Sequence, residues 1–206
     1  MIDGLYKPVL DRFWERLAQG LVRVGFSANG VTWTGLVLAV IISIGYLFYP
    51  NSLLFGSAML VVVAFDALDG AVARITGTCS QYGGYLDAVV DRYQEIFYLL
   101  AIGWVHHCWP EVFILATGSL LTSYNKARTA IERPIDNNKW PDLLERMERM
   151  ILLSVGLILS YWITAPFGWE RLFLVDYLLV LGLLTHLTAF QRFLRARRLL
   201  LEDRSD

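Results

Sequence analysis

The sequence predicts an all-α, polytopic membrane protein: six transmembrane helices preceded by an N-terminal interfacial amphipathic helix. Three observations carry this. Six apolar segments approach the ~20 residues that a bilayer-spanning helix needs. Apolar residues make up 56% of the chain and mean hydropathy is +0.48, yet 18% of residues are charged, so the charges must be clustered. Where a segment contains charge, the charge lies near one end, as expected of spans whose polar ends share one membrane depth.

The 206 residues suit a single domain, 1–206, with a juxtamembrane helix over 3–25 and a six-helix bundle over 30–195. The opening M-I-D-G-L-Y-K-P lacks the pattern of a cleaved signal peptide. In the first 25 residues, Leu10, Phe13, Trp14, Leu17, Leu21 and Val24 follow helical spacing and alternate with Lys7, Arg12, Arg16 and Arg23. The spans are expected near 30–49, 53–75, 82–104, 111–126, 147–164 and 173–193. Lys and Arg crowd the chain ends and the connections after spans two and four; the other connections carry only Arg171. The positive-inside rule therefore places both termini in the cytoplasm and the chain in the cell (inner) membrane. Arg149, Arg195, Arg197 and Arg198 are expected as membrane-border residues that snorkel to the interface. His106, His107, Cys108 and Trp109 read as an interfacial connection with an aromatic anchor. The stretch 129–144, with Pro134 and Pro141, reads as a polar loop near the cytoplasmic face. A net charge of −1 gives no basic field for nucleic acid.

The chemistry concentrates between Phe65 and Asp91. Four aspartates, Asp66, Asp69, Asp87 and Asp91, stand in apolar surroundings. Burying an unpaired carboxylate costs several kcal/mol or forces protonation, so four together call for a counter-charge. A divalent metal with oxygen ligands supplies one. On a helix, Asp66, Asp69, Gly70, Ala73 and Arg74 share a face, and Gly83, Asp87 and Asp91 share another. The short Gly/Thr/Ser/Gln turn between them predicts an antiparallel pair with those faces together.

The pattern D-x2-D-G-x2-A-R-x8-G-x3-D-x3-D resembles, at all eight fixed positions, the signature of the CDP-alcohol phosphotransferase family. The resemblance implies a membrane enzyme that moves the phosphatidyl or archaetidyl group of a CDP-linked lipid to the hydroxyl of a small polar alcohol and releases CMP. It implies a two-metal site, Mg2+ or Mn2+, on Asp66, Asp69, Asp87 and Asp91, with Asp91 on the second metal and also the general base. It assigns the CDP to Asn29, Thr32, Asp66, Asp69, Gly70, Ala73, Arg74 and Gly83. Before the first span the family's P-N-x-x-T is matched by Asn29 and Thr32, with Ala28 in place of proline; read alone, this stretch is a helix start capped by Ser27 or Asn29. The resemblance also suggests a homodimer, and lipid tails entering between spans from the inner leaflet.

Three short strings, S-Y-N-K-A-R, E-R-M-E-R and T-A-F-Q-R, are similar to those of the phosphatidylinositol-phosphate and archaetidylinositol-phosphate synthases of that family. They suggest inositol 1-phosphate as acceptor, held by Lys126, Arg128, Arg146 and Arg192. Glycerol 3-phosphate would want a similar basic pocket; free inositol, serine or choline would need fewer cations. Intramembrane carboxylates also mark transporters, but a divalent-cation path would lie nearer the midplane and away from a basic cluster.

The orientation is testable. On a background lacking Cys79 and Cys108, a single cysteine at position 138 should resist an impermeant thiol reagent applied to intact cells. Labelling there, but not at position 108, would reverse the topology.

Overall fold

The computed structural model describes residues 14–134, 144–164 and 169–202. The beginning of the expected amphipathic helix and most of the 129–144 loop lie outside these residues. Among the described residues the chain is helical, without strands: α1 (14–23), α2 (Ala28–Phe48), α3 (Ser52–Asp66), α4 (Leu68–Thr76), α5 (Gln81–His106), α6 (Trp109–Glu132), α7 (Arg146–Thr164) and α8 (Glu170–Glu202).

Local chemistry marks the ends. Ser27 caps α2 by accepting from the Gly30 N–H at 3.1 Å, Asn51 caps α3 through Leu54 N–H, and Ser80 caps α5 through Gly83 N–H. Gly77 closes α4 in the left-handed region (φ 66°), with Thr78 N–H returning to the Ala73 carbonyl at 3.0 Å. Glycine takes this conformation without a Cβ clash.

The six long elements close into a ring: α2 packs on α5, α5 on α6, α6 on α8, α8 on α7, α7 on α3, and α3 on α2. Its interior holds Met59, Tyr98, Ile102, Leu115, Leu153, Leu157, Leu174 and Leu178. The α6–α8 contact is close and partly polar. Gly118 faces Thr185 and His186, and Gly182 faces Leu115. Asn125 Nδ2 donates to the Ala189 carbonyl (2.9 Å), Arg192 Nη1 to that of Thr122 (2.6 Å) and Arg133 Nη1 to that of Leu199 (2.8 Å). Small residues permit such approach, and polar groups lock it.

Among the described residues, three stretches are long and apolar enough to cross a membrane: Ala28–Phe48, Ser52–Thr76 and Arg171–Leu201. The intervening helices carry more charge, including Asp87, Asp91, Arg92 and Glu95 in α5, and Arg146, Glu148 and Arg149 in α7. The α1 helix rests on α2 and α4. Ala18 is buried with Val31, Leu68, Ala71 and Val72, while Arg16 and Arg23 face outward.

Several expectations change. Ala67 interrupts the second segment, between Asp66 and Asp69, so α3 and α4 are separate helices. The α6 helix runs six residues past Lys126, to Glu132, into the expected loop, and α8 continues beyond Phe193 to Glu202. The His107–Cys108 connection is a tight cap. His107 is left-handed, His106 Nε2 meets Tyr46 Oη at 2.6 Å, and Trp109 packs over Gly103. Cys108 is buried, and that burial pushes its thiol up to about 11, so it stays protonated at neutral pH.

Candidate functional site

The site lies where the C-terminus of α3, all of α4, the first half of α5 and the start of α7 converge. Asp66 ends α3 and is 4% exposed. Its Oδ1 accepts from Gln94 Nε2 (3.1 Å), and its Oδ2 from Arg146 Nη1 (3.0 Å). That same nitrogen lies 2.5 Å from Asp91 Oδ1. One oxygen from each of Asp66, Asp87 and Asp91 lies within 4.8 Å of the others. Three hard oxygen donors at that separation fit a divalent cation.

The break at Ala67 turns Asp69 in another direction. Its Oδ2 accepts from Thr32 Oγ1 at 2.7 Å, and its Oδ1 from the Gly70 N–H at 2.5 Å. Asp69 therefore ties α4 to α2 while still bordering the hollow that holds the other three carboxylates.

Three hollows meet here. The first, about 180 Å³, is lined by Asn29, Thr32, Asp69, Gly70, Ala73, Arg74, Gly83 and Asp87, with Thr78, Cys79 and Ser80 at its turn. It gathers every residue assigned to CDP from the sequence except Asp66. Ser27 takes the capping role, which leaves Asn29 to face Gly83 across this hollow. The second, about 240 Å³, contains all four aspartates and Arg146. The third, about 840 Å³, runs between α5 and α6 past Asp87, Asp91, Arg92, Lys126 and Arg192, with Tyr85, Tyr93 and Tyr124 along it. Asp87 borders all three.

The basic residues divide differently from expectation. Lys126 and Arg192 share the third hollow, though Arg192 also staples α8 to α6. Arg146 sits inside the carboxylate group, with Nη2 on Gln94 Oε1 (2.5 Å) and Nε buried without a hydrogen-bond partner. Arg128 was expected beside the aspartates. It is half-exposed, pairs with Glu132 one turn on, and lines a separate hollow with Phe193 and Arg197. Arg149, expected to snorkel at the border, is 1% exposed. Its guanidinium meets Glu95 (3.3 and 3.4 Å), Ser119 Oγ (2.8 Å) and the Leu144 carbonyl (3.1 Å). Arg92 reaches Ser123, Glu95 and Asp91.

Sequence reasoning missed Gln94, Glu95 and Arg92. A signal existed: Asp87, Asp91, Gln94 and Glu95 recur at i, i+4, i+7 and i+8 and continue one polar stripe along α5. The partners of that stripe on α6 and α7 are remote in sequence.

Comparison with known proteins gives a consistent result. Residues 26–189 match the family model described as CDP-alcohol phosphatidyltransferase. The chain is 31% identical over 157 residues to archaetidylinositol phosphate synthase of Pyrococcus horikoshii, covering 75% of this chain and 81% of that one. It is 31% identical over 195 residues to archaetidylinositol phosphate synthase of Methanothermobacter thermautotrophicus, covering 92% and 91%. Among solved structures it resembles the Mycobacterium tuberculosis phosphatidylinositol phosphate synthase with CDP-DAG bound, at TM-score 0.77 and 25% identity, covering 90% of this chain and 94% of that one. The same enzyme in complex with manganese and citrate gives TM-score 0.76 at 25% identity, covering 89% and 88%.

The buried Glu95–Arg149 pair makes a prediction about stability. Removing one partner strands the other charge, so Glu95→Leu or Arg149→Met should each cost about 3–5 kcal/mol. The double variant should recover most of that loss. Thermal unfolding in detergent would report it; an unchanged Tm in both single variants would contradict it.

Proposed function

We propose that this chain, which belongs to the CDP-alcohol phosphatidyltransferase family, transfers the phosphatidyl or archaetidyl group of a CDP-linked lipid to a hydroxyl of inositol 1-phosphate and releases CMP. The observation that carries the reading is the meeting of a hollow lined by the CDP-assigned residues and a basic hollow at one carboxylate cluster.

Phosphoryl transfer needs positioning and charge stabilisation more than covalent help from the protein. In the first hollow, Gly70, Ala73 and Gly83 let a nucleotide approach the backbone. Arg74 pairs with a phosphate, and Asn29 and Thr32 flank the site. Asp66, Asp69, Asp87 and Asp91 would hold two Mg2+ or Mn2+ ions, which when bound neutralise the pyrophosphate's charge. Lys126 and Arg192 in the third hollow, with Arg146 beside Asp91, offer positive charge to the acceptor's phosphate. Asp91 borders both the carboxylate hollow and the basic one, where it takes the proton of the acceptor hydroxyl. The acceptor oxygen then bonds to the lipid's phosphorus as the bond to CMP breaks.

The wider setting belongs to the same proposal. Residues 1–206 form one domain, with α2, α3–α4, α5, α6, α7 and α8 as six spans in the cell membrane. The α1 helix lies in the interface, the site and both termini face the cytoplasm, and the lipid tails lie between spans. The protein acts as a homodimer. The relatives named for inositol-phosphate lipids support the acceptor; glycerol 3-phosphate remains the second candidate, because it too presents a phosphate beside a hydroxyl.

Purified protein supplied with CDP-diacylglycerol or CDP-archaeol and a panel of acceptors should release CMP fastest with inositol 1-phosphate. Lys126→Gln should raise the KM for inositol 1-phosphate about tenfold or more, since a hydrogen bond to a charged group contributes roughly 1.5–3 kcal/mol. The KM for the CDP-lipid should stay within about twofold on the same reasoning, because Lys126 lines the third hollow and not the first. Faster turnover of serine, choline or free inositol would overturn the acceptor assignment.

A further inference from the structure

We infer that Gln94 is a positioning residue, which aligns Asp66 toward the metal and Arg146 beside Asp91, and that Gly35 provides the space it needs. The inference rests on the metal-dependent reading proposed above.

Gln94 is fully buried on α5, one turn from Asp91 and on the same face. Both ends of its amide are used. Nε2 donates to Asp66 Oδ1 at 3.1 Å, and Oε1 accepts from Arg146 Nη2 at 2.5 Å. The position therefore requires a donor toward α3 and an acceptor toward α7. A neutral amide offers both. A glutamate there would set a second carboxylate against Asp66, and a lysine or arginine would set a second cation against Arg146.

The geometry also orients Asp66. With Oδ1 held by Gln94, Oδ2 is the oxygen turned to the Arg146 Nη1 that Asp91 shares. Gln94 thus decides which Asp66 oxygen faces the cluster. It also holds Arg146 through Nη2, so that Nη1 is fixed beside Asp66 and Asp91, the residue at which the acceptor hydroxyl is placed.

Gly35 supports the pair from α2. A Cβ there would come 2.9 Å from Asp66 Oδ1 and 3.0 Å from Gln94 Nε2. The first contact forces a shift and the second is tight, so a methyl group would displace the carboxylate and crowd the amide. The same amide is thereby open to perturbation from two helices. Loss of a hydrogen-bonding partner behind a metal ligand commonly weakens metal affinity by about 10–100-fold.

The test uses full-length purified protein and Mn2+ as probe, with free Mn2+ read by its EPR signal. Gln94→Leu and Gly35→Ala should each weaken Mn2+ binding about 10–100-fold relative to the wild type. The Gly35 variant leaves every hydrogen-bonding group in place. Gly45→Ala, also on α2 but with open space around the added carbon, should match the wild type. At saturating Mn2+, Gln94→Leu and Gly35→Ala should raise the KM for inositol 1-phosphate several-fold and by more than that for the CDP-lipid, a split that loss of stability alone would not produce. Wild-type Mn2+ affinity and acceptor KM in Gln94→Leu would overturn this inference and leave the metal reading intact. A wild-type protein that binds no Mn2+ would overturn the metal reading and this inference with it.

Discussion

Carboxylates inside an apolar helix ring need positive charge beside them, and the arrangement of this protein follows from that constraint. An unpaired buried carboxylate costs several kcal/mol. Here α5 carries two acidic levels, Asp87 with Asp91 and then Glu95, and α7 meets them with Arg146 and Arg149. The α5 and α7 helices are not neighbours in the ring. Their long side chains cross its interior instead, and Ser119 and Gln94 occupy hydrogen-bonding positions between them.

The two levels differ in chemistry. Glu95 and Arg149 are satisfied by each other, by Ser119 and by the Leu144 carbonyl, and neither borders the carboxylate hollow. They fix α7 against α5. One turn away, Arg146 serves two carboxylates with one nitrogen, and all four aspartates open into one hollow. The closed level fixes the helix register on which the open level depends. The break at Ala67 adds a second division. It sends Asp66 inward to Gln94 and Arg146, and Asp69 outward to Thr32 and the first hollow, so two carboxylates three residues apart serve different walls of the site.

Much of this was legible in the chain. Asp69, Gly70, Ala73 and Arg74 on α4, and Gly83, Asp87 and Asp91 on α5, are close in sequence, and helical spacing within each helix gathers them. The Ser80 cap and the Gly77 turn follow from local chemistry in the same way. The rest depends on contacts between remote segments. A charge near the end of a span looks the same whether it snorkels or pairs, so Arg149 read as a border residue; its partner Glu95 lies 54 positions away. Arg128 and Lys126 stand two residues apart on α6 and so face different hollows, a difference the string S-Y-N-K-A-R conceals. The pause at Ala67 has no glycine or proline to announce it. Gln94 was visible only as the continuation of the Asp87–Asp91 stripe.

The central claim is that the four-aspartate cluster is a metal-dependent phosphotransfer centre. Its most direct test is CMP release from a CDP-linked lipid by the purified wild-type protein, followed through chelation by EDTA and re-addition of Mn2+ or Mg2+. The account predicts that release stops on chelation, returns with the metal, and cannot be restored by metal in Asp66→Asn, Asp69→Asn or Asp87→Asn protein that remains folded. Undiminished CMP release in excess chelator would contradict it.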